Sequence, residues 1–204
     1  MSNLLELDVS RETLDNLKHF EKLITLWNPT INLVSSSSIS SFWNRHIVDS
    51  EQVFSFVSPK AGLWLDVGSG GGFPGIVVSI IAKELAPNVQ TVLVESDNRK
   101  CVFLRTVVRE LGLSAKVINN RIENLKLKDV VYLSARALSN LNSLLFMVQG
   151  NVSRETVCVF PKGRSYKKEL AESLKNWKFE FRLKDSNTSK ESKVILLKGL
   201  ERVK

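Results

Sequence analysis

Asp66-Val67-Gly68-Ser69-Gly70-Gly71-Gly72-Phe73-Pro74-Gly75 is the stretch from which the fold of this 204-residue chain is read. An apolar run precedes it at 63–67 and a helical pattern follows, so it turns a strand into a helix. Glycines let the backbone turn sharply and let a ligand approach where a side chain would collide. Pro74 suits a helix start, because the amide proton it lacks would have gone unpaired there. A loop of this kind binds a small molecule. Taken alone it does not say which.

Outward from the loop, short apolar runs at 63–67, 91–95, 115–119, 130–134 and 156–160 alternate with helical segments, among them 136–151 and 166–174. That alternation predicts an α/β fold with a mostly parallel sheet covered on both faces. The ending differs: 177–183 and 193–198 alternate apolar with polar residues across the polar loop 184–192, which predicts an antiparallel hairpin. A mostly parallel, Rossmann-like sheet closed by an antiparallel strand is the arrangement of class I methyltransferases that use S-adenosyl-L-methionine. A nicotinamide-binding domain more often continues with another crossover helix.

Glu95 ends the second run, where a carboxylate accepts the hydroxyl hydrogens of a ribose, and this serves a nicotinamide cofactor and adenosylmethionine equally. Asp66 separates the two. Its charge suits the cationic amino-acid end of adenosylmethionine and is awkward beside a pyrophosphate. With Gly68 and Gly70 in the loop, these residues form the first cofactor-binding set.

Residues 1–60 read as an N-terminal helical extension and 61–204 as one compact catalytic domain. In the extension Ser10 caps a helix carrying Leu14, Leu17, Phe20 and Ile24, and Asn28-Pro29 is expected to end it. The serine-rich stretch 35–41 holds a turn and a helix start. Cys101 and Cys158 sit in apolar runs and read as buried, reduced thiols, with no metal site. No apolar run approaches membrane-spanning length and no leader pattern is visible, which favours a cytoplasmic protein.

Hydrophobic residues at 43% and charged residues at 25% exclude wholesale disorder. The formal charge of +8 draws the chain toward polyanions, with RNA, DNA and acidic membranes all candidates.

The loop sequence, Trp27-Asn28 with Asn32-Leu33, Arg45-His46-Ile47-Val48-Asp49-Ser50 and Ser134-Ala135-Arg136-Ala137, taken in this order, resemble the bacterial 16S rRNA methyltransferase G family (RsmG/GidB) over nearly the whole chain. The resemblance implies methyl transfer from S-adenosyl-L-methionine to N7 of guanine 527, in the 530 loop of 16S rRNA. It also implies cofactor contacts at Gly68, Phe73, Ile122, Glu123 and Arg136. Its partners would be 16S rRNA or the 30S subunit, met by a monomer, with no membrane. Lys162-Gly163 matches a pair in the family, whereas Phe160-Pro161 and Ser139-Asn140 depart from its pattern.

Guanine N7 carries a lone pair and no proton, so methylation there needs alignment of nucleophile, carbon and leaving sulfur rather than an obligatory general base. His46, Asp49, Arg136 and Lys162 are accordingly substrate-side candidates, His46 and Asp49 either orienting substrate or bracing the N-terminal helices. Neither the Asn-Pro-Pro-Tyr or Asp-Pro-Pro-Tyr tetrapeptide nor the Pro-Cys pair occurs, which leaves ring-nitrogen or hydroxyl methylation. A small-molecule methyltransferase and a non-catalytic RNA-binding protein remain as alternative readings.

Overall fold

The computed structural model describes residues 8–203, so the first seven residues of the expected extension, and Lys204, lie outside the described residues. Helix α1 (Arg11–Ile31) begins on Ser10, whose hydroxyl accepts the Thr13 amide at 3.2 Å. Leu17, Phe20 and Ile24 face inward as expected. The helix does not stop at Asn28-Pro29. It runs to Ile31 and ends at Asn32 with φ 47°, because the Asn28 side chain accepts the Leu33 and Val34 amides at 2.7 and 2.8 Å. This cap outweighs the single intrahelical bond that Pro29 removes near the helix end.

Short α2 (Ser36–Ile39), a π-helical turn (Trp43–Val48) and α3 (Asp49–Ser55) complete the N-terminal layer. The remainder alternates: β1 (Ala61–Val67), α4 (Gly75–Leu85), β2 (Asn88–Glu95), α5 (Asn98–Glu110), β3 (Ala115–Asn119), β4 (Val130–Ser134), α6 (Leu141–Val148), β5 (Val157–Lys162), α7 (Tyr166–Ser173), β6 (Trp177–Asp185) and β7 (Lys193–Arg202). The sheet order is β3-β2-β1-β4-β5-β7-β6. Strands β1 to β5 pair in parallel, and β7 runs antiparallel to both β5 and β6.

The expected helix over 136–151 is shorter in fact. Ala137 adopts φ 52°, which no helix accepts, and the Asn140 side chain accepts the Ser143 amide at 2.9 Å, so the helix starts at Leu141.

Side chains on alternate strand positions feed two cores. Trp64 and Leu93 pack with α1, α3, α4 and α5 on one face, while Leu65, Val92 and Val94 pack with α6 and α7 on the other. Cys101 and Cys158 are both buried free thiols, and burial pushes the Cys158 thiol up to about 12. Among the described residues no helix is long and apolar enough to cross a membrane.

Candidate functional site

The order of strands reverses beside β1, whose neighbours are β2 and β4, and open α/β sheets bind ligands at the carboxyl edge of such a switch point. The glycine-rich loop leaves β1 there. Gly68 and Ser69 donate their amides to the Val94 carbonyl at 2.9 and 3.1 Å, tying the loop to β2. Gly68 has φ 65°, a left-handed conformation that a side chain would strain. Gly75 is needed for space, since a Cβ there would lie 2.6 Å from Asp66 Oδ2 and 2.4 Å from Leu93 Cδ2.

Asp66 is completely buried beneath the loop. Trp64 Nε1 donates to the Ser134 hydroxyl at 2.9 Å, and that hydroxyl donates to Asp66 Oδ1 at 2.6 Å, linking the ends of β1 and β4. Burial raises the Asp66 carboxyl to about 6 despite the opposing Ser134 bond. Glu95 is nearly buried, accepting the Gly70 amide on Oε2 and the Asp97 amide on Oε1, both at 2.8 Å. Its carboxylate therefore braces the glycine loop, and each oxygen keeps lone-pair capacity for one more donor.

Two cavities flank the loop. The smaller, about 90 Å³, is lined by Gly68, Val94, Asn120, Ile122, Glu123 and Leu138. Ile122 and Glu123 reach it from a 3₁₀ turn (Ile122–Asn124) that follows β3. The larger, about 460 Å³, is lined by Arg45, His46, Asp49, Arg136, Lys162 and Glu169, with the β6–β7 loop on its far side.

On the wall of the larger cavity lies a cluster of the expected site residues. Arg136 donates to Asp49 at 2.9 Å, to the Arg45 carbonyl at 3.0 Å and to His46 Nδ1 at 2.9 Å, with its guanidinium 5.0 Å from the Phe73 ring centre. Since Arg136 donates only, His46 Nδ1 must accept, and Nε2 carries the proton toward the Ser38 hydroxyl at 2.8 Å. Burial, then the Arg136 and Arg45 charges, lower the His46 imidazole to about 4, so it is neutral at pH 7. A neutral, doubly engaged imidazole is a poor proton acceptor.

Asp49 joins three elements. Oδ2 accepts Arg136 from beyond β4, and Oδ1 accepts Gln52 of α3 at 2.8 Å and Thr188 of the β6–β7 loop at 3.0 Å. Lys162 turns inward, its side chain only 9% exposed, and bonds the Ser139 carbonyl at 2.8 Å and Glu169 at 3.0 Å.

The structure thus gathers Phe73, His46, Asp49 and Arg136, and places Gly68, Ile122 and Glu123 on the other cavity. Asp66 lies beneath the loop. Gln52, Thr188, Glu169 and Leu138 were missed from sequence. The three-residue step from Asp49 to Gln52 was visible on a helix, but nothing local points to Thr188 or Glu169.

Sheet order, antiparallel β7 and the loop at the switch point define the class I methyltransferase fold. Solved structures share it at low identity. An RNA methyltransferase from Salinibacter ruber, solved with S-adenosyl-L-homocysteine, superposes with a TM-score of 0.57 at 16% identity, covering 76% of this chain and 92% of that one. The Podospora anserina methyltransferase PaMTH1 gives 0.58 at 12%, covering 95% and 97%.

The chain belongs to the GidB family, rRNA small subunit methyltransferase G, which matches residues 13–196. Ribosomal RNA small subunit methyltransferase G of Ruegeria sp. (strain TM1040) is 47% identical over 199 residues, 98% of this chain and 97% of the relative. That of Rickettsia bellii (strain OSU 85-389) is 39% identical over 197 residues, 97% and 99% respectively.

Proposed function

We propose that this chain methylates 16S rRNA, transferring the methyl group of S-adenosyl-L-methionine to N7 of guanine 527. Family membership over nearly the whole chain carries the reading. Acting as a cytoplasmic monomer on 16S rRNA or the 30S subunit follows from the same reading, as does division into an N-terminal extension and a methyltransferase domain at about residue 60.

The residues present fit the cofactor. Gly68 offers a bare Cα on the smaller cavity, Glu95 has acceptor capacity for ribose hydroxyls, and Ile122 and Glu123 frame a space for the adenine. Asp66, beneath the loop, supplies negative charge for the amino-acid end, and Arg136, on the wall of the larger cavity, supplies positive charge for its carboxylate. When bound, the cofactor supplies an electrophilic sulfonium methyl carbon.

The larger cavity, lined by Arg136, holds the target nucleotide. Its volume of about 460 Å³ lies within the roughly 300–1,000 Å³ typical of small-molecule sites. The chain aligns the N7 lone pair with the methyl carbon and moves no proton, consistent with a neutral His46 whose nitrogens are both engaged. Arg45, at the rim, meets RNA phosphate.

The test is transfer of labelled methyl to 30S subunits from cells lacking this enzyme, with 50S subunits and free 16S rRNA alongside. Label confined to 16S rRNA is expected. Label in neither particle nor free RNA, from a protein that binds cofactor, rejects the RNA substrate and points to a small molecule or a non-catalytic role.

A further inference from the structure

Residues 135–140, between β4 and α6, border both cavities, with Leu138 on the smaller and Arg136, Ala137 and Ser139 on the larger. The segment is pinned at its ends. Arg136 is held by Asp49, the Ser139 carbonyl accepts Lys162 Nζ, and Asn140 caps α6. Between these anchors Ala137 is exposed and left-handed, with φ 52°.

Beyond that bend Leu138 folds back over the glycine loop. A Cβ built on Gly68 would lie 2.7 Å from Leu138 Cδ1 and 3.1 Å from Cδ2, so the leucine rests against the bare Cα. That surface is the one a missing side chain opens to a ligand. Leu138 is nonetheless 40% exposed, so it is not filling a hole in the core. The space left beside it, about 90 Å³, is well short of the roughly 300 Å³ at which small-molecule sites begin.

We propose that Leu138 is a lid lying in the adenosine site, and that the cofactor binds only when the lid swings out about Ala137 while Arg136 and Ser139 stay anchored. The inference rests on the reading of Gly68, Ile122 and Glu123 as cofactor contacts. It goes beyond that reading by making a residue outside the loop control access to the site. A ligand that requires a minor conformation binds with an affinity reduced by that conformation's population. If the open form is about 0.1–10% of the protein, closure weakens binding about tenfold or more.

The experiment compares wild type with Leu138→Ala, using S-adenosyl-L-homocysteine as the probe, calorimetry for affinity and stopped-flow fluorescence for rates. The variant should bind about tenfold or more tighter, with the gain in the association rate and the dissociation rate little changed. Unchanged or weaker affinity, or a faster dissociation rate, overturns the proposal by showing Leu138 to be a wall of the pocket. Failure of the wild type itself to bind S-adenosyl-L-homocysteine removes the cofactor reading, a result distinct from a wild type that binds and a variant that binds no better.

Discussion

Asp66 and His46 are both perturbed by burial, and their effects on stability run in opposite directions with pH. Asp66 is raised from 3.8 to about 6, so the native state holds its proton more tightly than the unfolded chain. Its contribution is fully present below about 3.8 and is lost as pH rises through about 6. His46 is lowered from 6.5 to about 4, so its contribution is present above about 6.5 and lost as pH falls through about 4. Asp66→Asn should therefore be more stable than wild type at pH 7, by about 1–3 kcal/mol, with the difference vanishing near pH 4. Urea titrations across that range check it, and a gain that persists at pH 4 contradicts the assignment. His46→Ala tests the chemistry. Methyl transfer at saturating substrates should slow without being abolished, whereas complete loss with folding and cofactor binding intact identifies a required base.

Among the elements, the decisive join is Asp49, which holds the segment after β4, α3 and the β6–β7 loop around the larger cavity. Its ion pair with Arg136 is largely buried, the side chains being 18% and 16% exposed, so removing Asp49 leaves the Arg136 charge without a carboxylate. Asp49→Ala should cost about 3–5 kcal/mol in denaturant unfolding, and Thr188→Val, which removes a hydroxyl bonded to the Asp49 carboxylate and to Ser186, about 1.5 kcal/mol. Equal effects from the two variants contradict the ranking. Strands β3 and β4 were legible to the residue because β-branched and aliphatic residues (Val117 and Ile118; Val130, Val131 and Leu133) cluster between polar turn residues. The segment after β4 was not, because its left-handed Ala137 and the pull of Asp49 on Arg136, 87 positions away, leave no local pattern. Likewise Pro29 signalled a helix end, while the compensating cap, the Asn28 side chain reaching the amides five and six residues on, is local but follows no standard capping spacing.

For the whole molecule, legibility followed the same division between local and distant causes. The turn of the glycine loop was legible because its conformational demands are local. The larger cavity is assembled from residues between Arg45 and Val194, so its lining emerges only in the folded chain. A charge of +8 also acts at this scale, through release of counterions from RNA. Arg45→Ala should weaken RNA binding and reduce the salt slope of log K against log[salt] by about 0.7–0.9, the change expected when one phosphate is left unneutralised. An unchanged slope excludes Arg45 from the interface. The most direct measurement is to methylate 30S subunits lacking the modification with this protein and S-adenosyl-L-methionine, then map N7-methylguanine by strand cleavage at that base. A single new cleavage at guanine 527 is the predicted result, and cleavage elsewhere, or label in 16S rRNA without N7-specific cleavage, contradicts the assigned target and chemistry.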